Sequence, residues 1–466
     1  MQIQATEFVT MIQSGQVPLV AGSRSIVCTE DVADTTYYQP EQVHIAFGEK
    51  QNDIVVTWST LNETLETLLE FGEDAPTNQV TGNSNIFIDG GELKWRQWIH
   101  RVQLKDLKFN TTYYYRVGSR SRWSKIFSFT TSESEKNLAV HALVFGDLGV
   151  SNGLSLPFML EDIKKKKYDV ILNVGDLAYD MADDSGTRGN DFMKNVEPMA
   201  AKIPFMIVPG NHEHKYNFSH IKERFSMPGF ETFESMYHSF DLGLIHFVGI
   251  NTEAYYNNTA YPASITGEPG QLITHYNWLK QDLEEANLPE NRQKHPWIVV
   301  YGHRPFYCSN KLGADNCKNN TYLHRVGIQK YDVLGLEKLL MESGVDLVIW
   351  AHEHSYERFW PIYDWKVYNG SYEHPYVNPT YPVQVTTGSA GCNEGTDDFV
   401  LKPEHWSAFR SSDYGYARLF CPNRTHIYFE QDSVRHVKQE LFDNNKHSKT
   451  IDSLWLVKDN HKRYDV

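Results

Sequence analysis

Five short apolar runs, each broken off at a residue that can bind a cation, constrain the fold of this chain more than any other feature. They are AVHALVFGD (139–147), YDVILNVGD (168–176), IPFMIVPGNHE (203–213), HPWIVVYGHRP (295–305) and VDLVIWAHEH (345–354). Four to six apolar residues in a row suit a buried strand and are too few for a buried helix. SLPFMLEDIKKKK (155–167) lies between the first two runs, and QKYDVLGLEKLLMESG (329–344) precedes the last; both have helical spacing. Apolar strands alternating with helices predict an α/β domain with covered sheet faces.

In open α/β sheets the loops leaving the carboxyl ends of the strands gather in one crevice, where ligands bind. At that rim this chain places Asp147, Asp176 with Tyr179, Asn211 with His212, His303, and His352 with His354. A single Asp after a strand is ordinarily a helix cap or a turn former. Five rims that all end in oxygen or imidazole donors predict a metal centre instead. The set contains no thiolate, which excludes a structural cysteine-rich zinc site or an iron–sulfur cluster. It exceeds the four ligands of one tetrahedral ion and fits two ions sharing a central carboxylate, Asp176. A phenol with an ordinary pKa near 10 binds metal at neutral pH only against a strongly Lewis-acidic ion. Tyr179 therefore points to ferric iron.

Before this region, EQVHIAF, DIVVTWS, NIFIDG, HRVQLKD, TTYYYRVG and KIFSFTT divide residues 40–130 into short strands separated by turn residues. They predict a small β-sandwich with Trp58 and Tyr115 in its core. The polar stretch TTSESEK (130–136) reads as the link to the α/β domain. MYHSFDLG and LIHFVGIN read as a hairpin, while VQVTTGSAG, YGYARLFC, THIYFEQ and KTIDSLWLV are late strands.

A formal net charge of −15 leaves no electrostatic footprint for nucleic acid. No apolar run reaches the length of a membrane span, and the first 27 residues lack the basic start and apolar core of a signal peptide. Seven Asn-x-Ser/Thr triplets, at Asn62, Asn110, Asn217, Asn257, Asn319, Asn369 and Asn423, are nevertheless glycosylation candidates. A secreted or lysosomal glycoprotein is the expectation. Of the five cysteines, Cys308 with Cys317 and Cys392 with Cys421 are the expected disulfide pairs, leaving Cys28 unpaired.

The blocks GDLG at 146, GDLAY at 175, GNHE at 210, GHRP at 302 and AHEH at 351 together resemble the metallophosphoesterase core of the purple acid phosphatases. GD and GNH blocks recur in many metallophosphoesterases, whereas the Tyr of GDLAY marks the purple group. The resemblance covers roughly residues 36 to 430 and is to the long animal form related to the plant enzymes. It implies an N-terminal all-β, fibronectin type III-like sandwich (36–131). An α/β metallophosphoesterase domain (138–435), a β-sheet sandwich flanked by helices, follows, and a C-terminal extension (436–466) packs on it. It assigns Asp147, Tyr179 and His354 to Fe(III), and Asn211, His303 and His352 to a divalent iron, zinc or manganese. Asp176 bridges the two ions. His212 matches a histidine that faces the substrate phosphate.

The implied activity is hydrolysis of small phosphate monoesters at acidic pH, with a metal-bound hydroxide as nucleophile. A phosphodiesterase or nucleotide hydrolase with the same centre, and a non-catalytic secreted binding glycoprotein, are the alternatives; a homodimer is also open. Arg304 is a candidate phosphate contact set against a reading as a surface arginine. Glu213 and Glu353 are candidates for hydrogen bonding to ligating imidazoles or for surface ion pairs. The last block begins with Ala351 where the family has Gly. Plant enzymes carry two histidines after the GHRP-like block, where this chain has YCSNKLGADNCKNN; His324 is the nearest histidine that follows. The segment 360–380, rich in Tyr, Trp and Pro, is expected to border the cleft.

Overall fold

The structure, a computed structural model, describes residues 37–133, 138–256, 270–311, 323–329, 333–368, 373–434 and 448–464. Residues Tyr37–Val466 form one compact unit. Its first part is the expected β-sandwich. One sheet holds Glu41–Phe47, Ile54–Thr60, Arg96–Leu104 and Asn83–Ile88; the other holds Asn78–Thr81, Leu68–Gly72, Thr112–Ser119 and Arg122–Trp123, with Phe127–Thr130 also on Thr112–Ser119. Trp58 and Tyr115 are buried in its core. Leu68–Gly72 and Asn78–Thr81 escape a reading by pattern because LETLLEF interleaves acids at helical spacing and NQVT carries one apolar residue.

The second part is built on two sheets. The six-stranded sheet runs Phe205–Ile207, Val170–Asn173, Val140–Phe145, Gly415–Asn423, His426–Ser433, Lys449–Val457. The seven-stranded sheet runs His238–Leu242, Ile245–Gly249, Trp297–Tyr301, Leu347–Trp350, Val383–Thr387, Tyr356–Phe359, Ser407–Ser411. All five apolar runs are strands, and His238–Leu242 with Ile245–Gly249 is the expected antiparallel hairpin. Alternation along each strand divides its side chains between two cores. Val299, Tyr301, Leu347 and Ile349 join the core shared with the first sheet and the sandwich, whereas Ile298, Val300, Val348 and Trp350 face a second core. Helix residues Leu272, Leu279, Leu283, Leu336 and Leu340 close that second core, from helices Gly270–Ala286 and Leu336–Glu342. No helix among the described residues is long and apolar enough to cross a membrane.

Val140–Phe145, Val170–Asn173 and Phe205–Ile207 are parallel, as are Ile245–Gly249, Trp297–Tyr301, Leu347–Trp350 and Val383–Thr387. Each sheet therefore presents a row of carboxyl ends, and the candidate ligands divide between the two rows.

One expectation fails on topology. Cys392 follows the rim, its N–H on Leu148 O, whereas Cys421 pairs with Val140 at the opposite end of the same strand. At about 3.3 Å per residue the separation far exceeds the roughly 7 Å that a disulfide spans. Both are buried free thiols. Cys308 is disulfide-bonded; Cys317 and Cys28 lie outside the described residues. Within the segment 360–380, Trp365 packs on Tyr307 of the loop that follows His303, with ring centroids 5.0 Å apart. Tyr356–Phe359 runs antiparallel to Val383–Thr387 and carries the chain to the far edge, where Val377 bridges Val457. The loop Gly388–Asp397, returning at the rim, borders the site. Among the glycosylation candidates Asn110, Asn217 and Asn423 are exposed and Asn62 is half-buried, while Asn257, Asn319 and Asn369 lie outside the described residues.

Candidate metal centre

Four of the seven expected ligands, Asp147, Asp176, Tyr179 and His352, have left-handed backbone, with φ of 58°, 50°, 50° and 70°. Such conformations cost a non-glycine residue about 1–3 kcal/mol each and persist where the surroundings over-determine them. Here the surroundings are the close packing of the two rims. A Cβ on Gly210 would stand 2.2 Å from Asp176 Oδ1, so only glycine lets the GNHE loop reach the Asp176 carboxylate. Ala351 is not among the left-handed positions. Its methyl would stand 2.4 Å from a Cβ on Gly146, so the rim closes because residue 146 is glycine.

The seven side chains converge in two groups. In one, Tyr179 Oη donates to Asp147 Oδ1 (2.9 Å) and lies 2.7 Å from His354 Nε2. In the other, His303 Nε2 lies 3.0 Å from Asn211 Oδ1, 3.2 Å from Asp176 Oδ2 and 3.2 Å from His352 Nδ1. Asp176, His303 and His352 each offer an atom within 4.8 Å of the others, the spacing of ligands around one ion. His303 Nδ1 donates to Val174 O (2.9 Å), which turns the lone pair of Nε2 inward. It meets a carboxylate oxygen and an amide oxygen there. Ligand atoms of three chemical types converge there, an arrangement held together by a proton on Nε2 or by a bound cation in its place.

The electrostatics agree. Burial opposes charge on His303, yet Asp176 and then Asp147 push it up to about 10. Burial raises the Asp147 carboxyl well above the ordinary range; His303 opposes this and Asp176 adds to it. Asp176 is held low against burial, first by His303, then by His212 and His352. Burial, then Asp147 and Asp176, raise the Tyr179 phenol well above its ordinary value, so a phenolate there requires a strong cation. Carboxylate, phenol and imidazole groups are crowded here in a way that a bound cation would relieve.

His212 stands beside this group. Its backbone N–H donates to Asp176 Oδ1 (2.9 Å) and its ring packs on Tyr179 at 4.4 Å. Its Nδ1 lies 3.4 Å from Asp180 and its Nε2 3.8 Å from Glu394, and the side chain keeps 21% exposure. Burial opposes charge on it, but Asp180 and Asp176 push it up to about 9.

The neighbours differ from expectation. Glu213 serves no imidazole; it accepts from the backbone N–H groups of Asp176 (2.9 Å), Leu177 (2.8 Å) and Gly210 (2.9 Å), fastening two rim loops together. Glu353 is buried and so is no surface group; its backbone N–H donates to Ala351 O. Arg304 is no surface arginine: it is 2% exposed and paired with Glu253. His324 is fully buried, bonded to Tyr256 Oη (2.5 Å) and Arg304 O (2.9 Å), and burial holds it neutral. Three further residues belong to the site. Glu253 follows the sixth rim, GINTE, whose polar ending was the available signal, hidden by reading LIHFVGIN as a hairpin alone. Asp397 accepts from the His354 N–H (2.6 Å), and Cys392 Sγ lies 3.3 Å from His354 Nδ1. Neither carries a local signal.

Comparison with known proteins follows this division. Residues 40–131 match the purple acid phosphatase N-terminal domain, 140–356 the calcineurin-like phosphoesterases, and 381–443 the iron/zinc purple acid phosphatase-like protein C. Acid phosphatase type 7 of Danio rerio is 45% identical over 428 residues, 91% of this chain and 92% of that protein. The Homo sapiens protein of that name is 40% identical over 422 residues, 90% of this chain and 91% of that one. Purple acid phosphatase 22 of Arabidopsis thaliana is 30% identical over 402 residues, 83% and 80% of the two chains. Among solved structures, a purple acid phosphatase from yellow lupin (Lupinus luteus) seeds shares the fold, with a TM-score of 0.72 at 22% identity, over 91% of this chain and 75% of that one.

Proposed function

The chain belongs to the purple acid phosphatase family, and we propose from that premise that it hydrolyses small phosphate monoesters at acidic pH at a centre of two ions. The observation that carries this reading is the meeting of the Asp176, Asn211 and His303 ligand atoms beside the Tyr179, Asp147 and His354 group. Asp147, Tyr179 and His354 would hold Fe(III); Asn211, His303 and His352 would hold divalent iron, zinc or manganese; Asp176 would serve both. Such ions supply Lewis acidity toward the phosphoryl oxygens and toward a water.

The rest is the work of the chain. His212, kept protonated by Asp180, offers Nε2 to a phosphoryl or leaving-group oxygen in a charge-assisted hydrogen bond. Its packing on Tyr179 fixes the ring's direction. Glu213 holds the Asp176 and Asn211 loops in register. Arg304 is occupied by Glu253, which argues against its use as a phosphate clamp. The domain limits 36–131, 138–435 and 436–466 belong to the same proposal, as does a secreted or lysosomal location, which the exposed Asn110, Asn217 and Asn423 support.

The test is optical and enzymatic together. The purified protein should carry about two metals per chain and a visible tyrosinate-to-iron band, and should release phosphate from p-nitrophenyl phosphate near about pH 5 to 6. Tyr179→Phe should abolish the band and leave the fold unchanged. A colourless protein, active with zinc at both positions, would reject the ferric assignment.

A further inference from the structure

We infer that the outer face of the six-stranded sheet carries a carbohydrate platform, and that its occupant is the first sugars of a glycan on Asn423 of the same chain. This rests on the secreted or lysosomal location proposed above. Residues directly opposite one another in antiparallel strands share a face. His141 stands opposite Phe420, Phe420 opposite Tyr428 and Tyr428 opposite Trp455, so one row of rings crosses from Val140–Phe145 to the edge strand Lys449–Val457. His141 and Phe420 stack at 4.4 Å, and Tyr428 lies 4.8 Å from Trp455. The alternate residues Leu419, Ile427, Phe429, Leu454 and Leu456 fill the core on the other face. Trp455 is 48% exposed and the rest of the row is half-buried. An aromatic strip of this kind on a sheet face marks a binding surface.

Asn423 stands on the same face, at the end of the strip. It is opposite His426, which precedes Tyr428 by two residues and whose ring lies 5.8 Å from that of Trp455. About 7 Å of strand therefore separates Asn423 from the row, within reach of the first sugars. The amide is also set for the link. Asn423 Oδ1 accepts the Thr425 N–H (2.9 Å) and the Thr425 hydroxyl (3.0 Å), and that hydroxyl accepts from His426 Nδ1 (2.8 Å). Nδ2, the atom to which a sugar is joined, has no partner among the described residues, and Asn423 is exposed. This turn is local and needs no folded sheet. The other described triplets lack it: Thr64 Oγ1 donates to Glu66 O, Thr112 Oγ1 meets Thr130 Oγ1, and Ser219 Oγ is buried with no partner among the described residues. The C–H groups on one face of a pyranose pack on the negative face of an aromatic ring. A row of rings with polar edges and no Lys, Arg, Asp or Glu suits an uncharged, hydroxyl-rich ligand of that kind.

The test uses the full chain made in an animal cell line, with mass spectrometry reading the occupancy of each triplet. Asn423 should carry glycan in most molecules. Hydroxyl-radical footprinting should then label Trp455 and Tyr428 several-fold more slowly than in Thr425→Ala, which removes this glycan alone, while the exposed Tyr114 of the sandwich keeps its rate. Thr425→Ser preserves the triplet and should preserve the protection. Loss of the glycan should lower the melting midpoint by about 2 °C, and the same loss in Trp455→Ala should lower it less, because the surface that the sugar covers is gone. An unoccupied Asn423 in a chain glycosylated at other triplets overturns the inference, as does equal labelling of Trp455 with and without the glycan. Protection of Trp455 that follows protein concentration and not the glycan assigns the strip to a second copy of the chain and likewise overturns it. A chain with no triplet occupied overturns the proposed location, and this inference with it.

Discussion

Glu213 illustrates what a single residue does here. Its two oxygens accept three backbone N–H groups from two loops, and its side chain is buried. Glu213→Gln keeps the shape and turns one oxygen into an NH2 that faces an N–H. Oε2 takes two of the bonds, so the amide oxygen should settle there and the amino group oppose Leu177. An unsatisfied buried donor of this kind costs about 1–3 kcal/mol. Urea unfolding should register that loss, and the metal content of the variant should fall because the Asp176 and Asn211 loops are no longer tied. A fully loaded variant of wild-type stability would refute this role. The residue's neighbour in sequence, His212, invites attention as a catalytic group; nothing in GNHE announces that the Glu is the fastener.

At the scale of elements, the rim closes on small contacts between strand ends. Gly146 and Ala351 leave the two sheets and meet with room for one methyl group. Gly146→Ala adds a second and should cost about 1–3 kcal/mol through overpacking, together with a displacement of Asp147. Ala351→Gly in the same chain should restore most of the stability and metal content; a thermal melt of the two variants decides it. This pair also marks the limit of reading by pattern. Five strands were legible because apolar runs and polar stops are local properties, and the expected ligands stand at those stops. The partition of each strand between two cores was not, since Ile298, Val299, Val300 and Tyr301 are all apolar whichever sheet they face. Arg304 read as a surface residue because Glu253, its partner, lies 51 residues away. Cys392 read as half of a disulfide because spacing says nothing of which end of a strand a thiol occupies.

On the scale of the whole molecule, the sandwich and the two-sheet body share one core and a buried polar seam. Tyr115 donates to Ala201 O (2.7 Å), Asp89 meets His220 (2.8 Å), and Arg224 bonds both His220 (3.0 Å) and Gln42 (2.8 Å). The same molecule buries uncharged histidines. Burial lowers His44, His100 and His220 to about 4, and His238 and His275 to about 3. In the unfolded chain each titrates near 6.5, so above that pH they cost nothing; below it the unfolded state takes up protons that the folded state refuses. Stability should fall from about pH 6.5 toward pH 4, by roughly 1–2 kcal/mol for each such histidine at pH 5. His246 runs the other way. Against burial, Asp241 and Asp282 push it up to about 10, so its contribution is complete below 6.5 and is lost as the pH climbs to 10. Melting temperatures should peak near neutrality, and His275→Gln should flatten the acid limb. A flat profile between pH 7 and 5 would contradict this assignment. The division of the expected ligands between two sheets has a further consequence, for the order of synthesis. Asp147, Asp176, Tyr179 and Asn211 emerge from the ribosome about a hundred residues before His303, and longer before His352 and His354. On the proposed two-ion reading the nascent chain would carry half a centre through much of its translation, and tight uptake of both ions would certify that the second sheet has been made and docked.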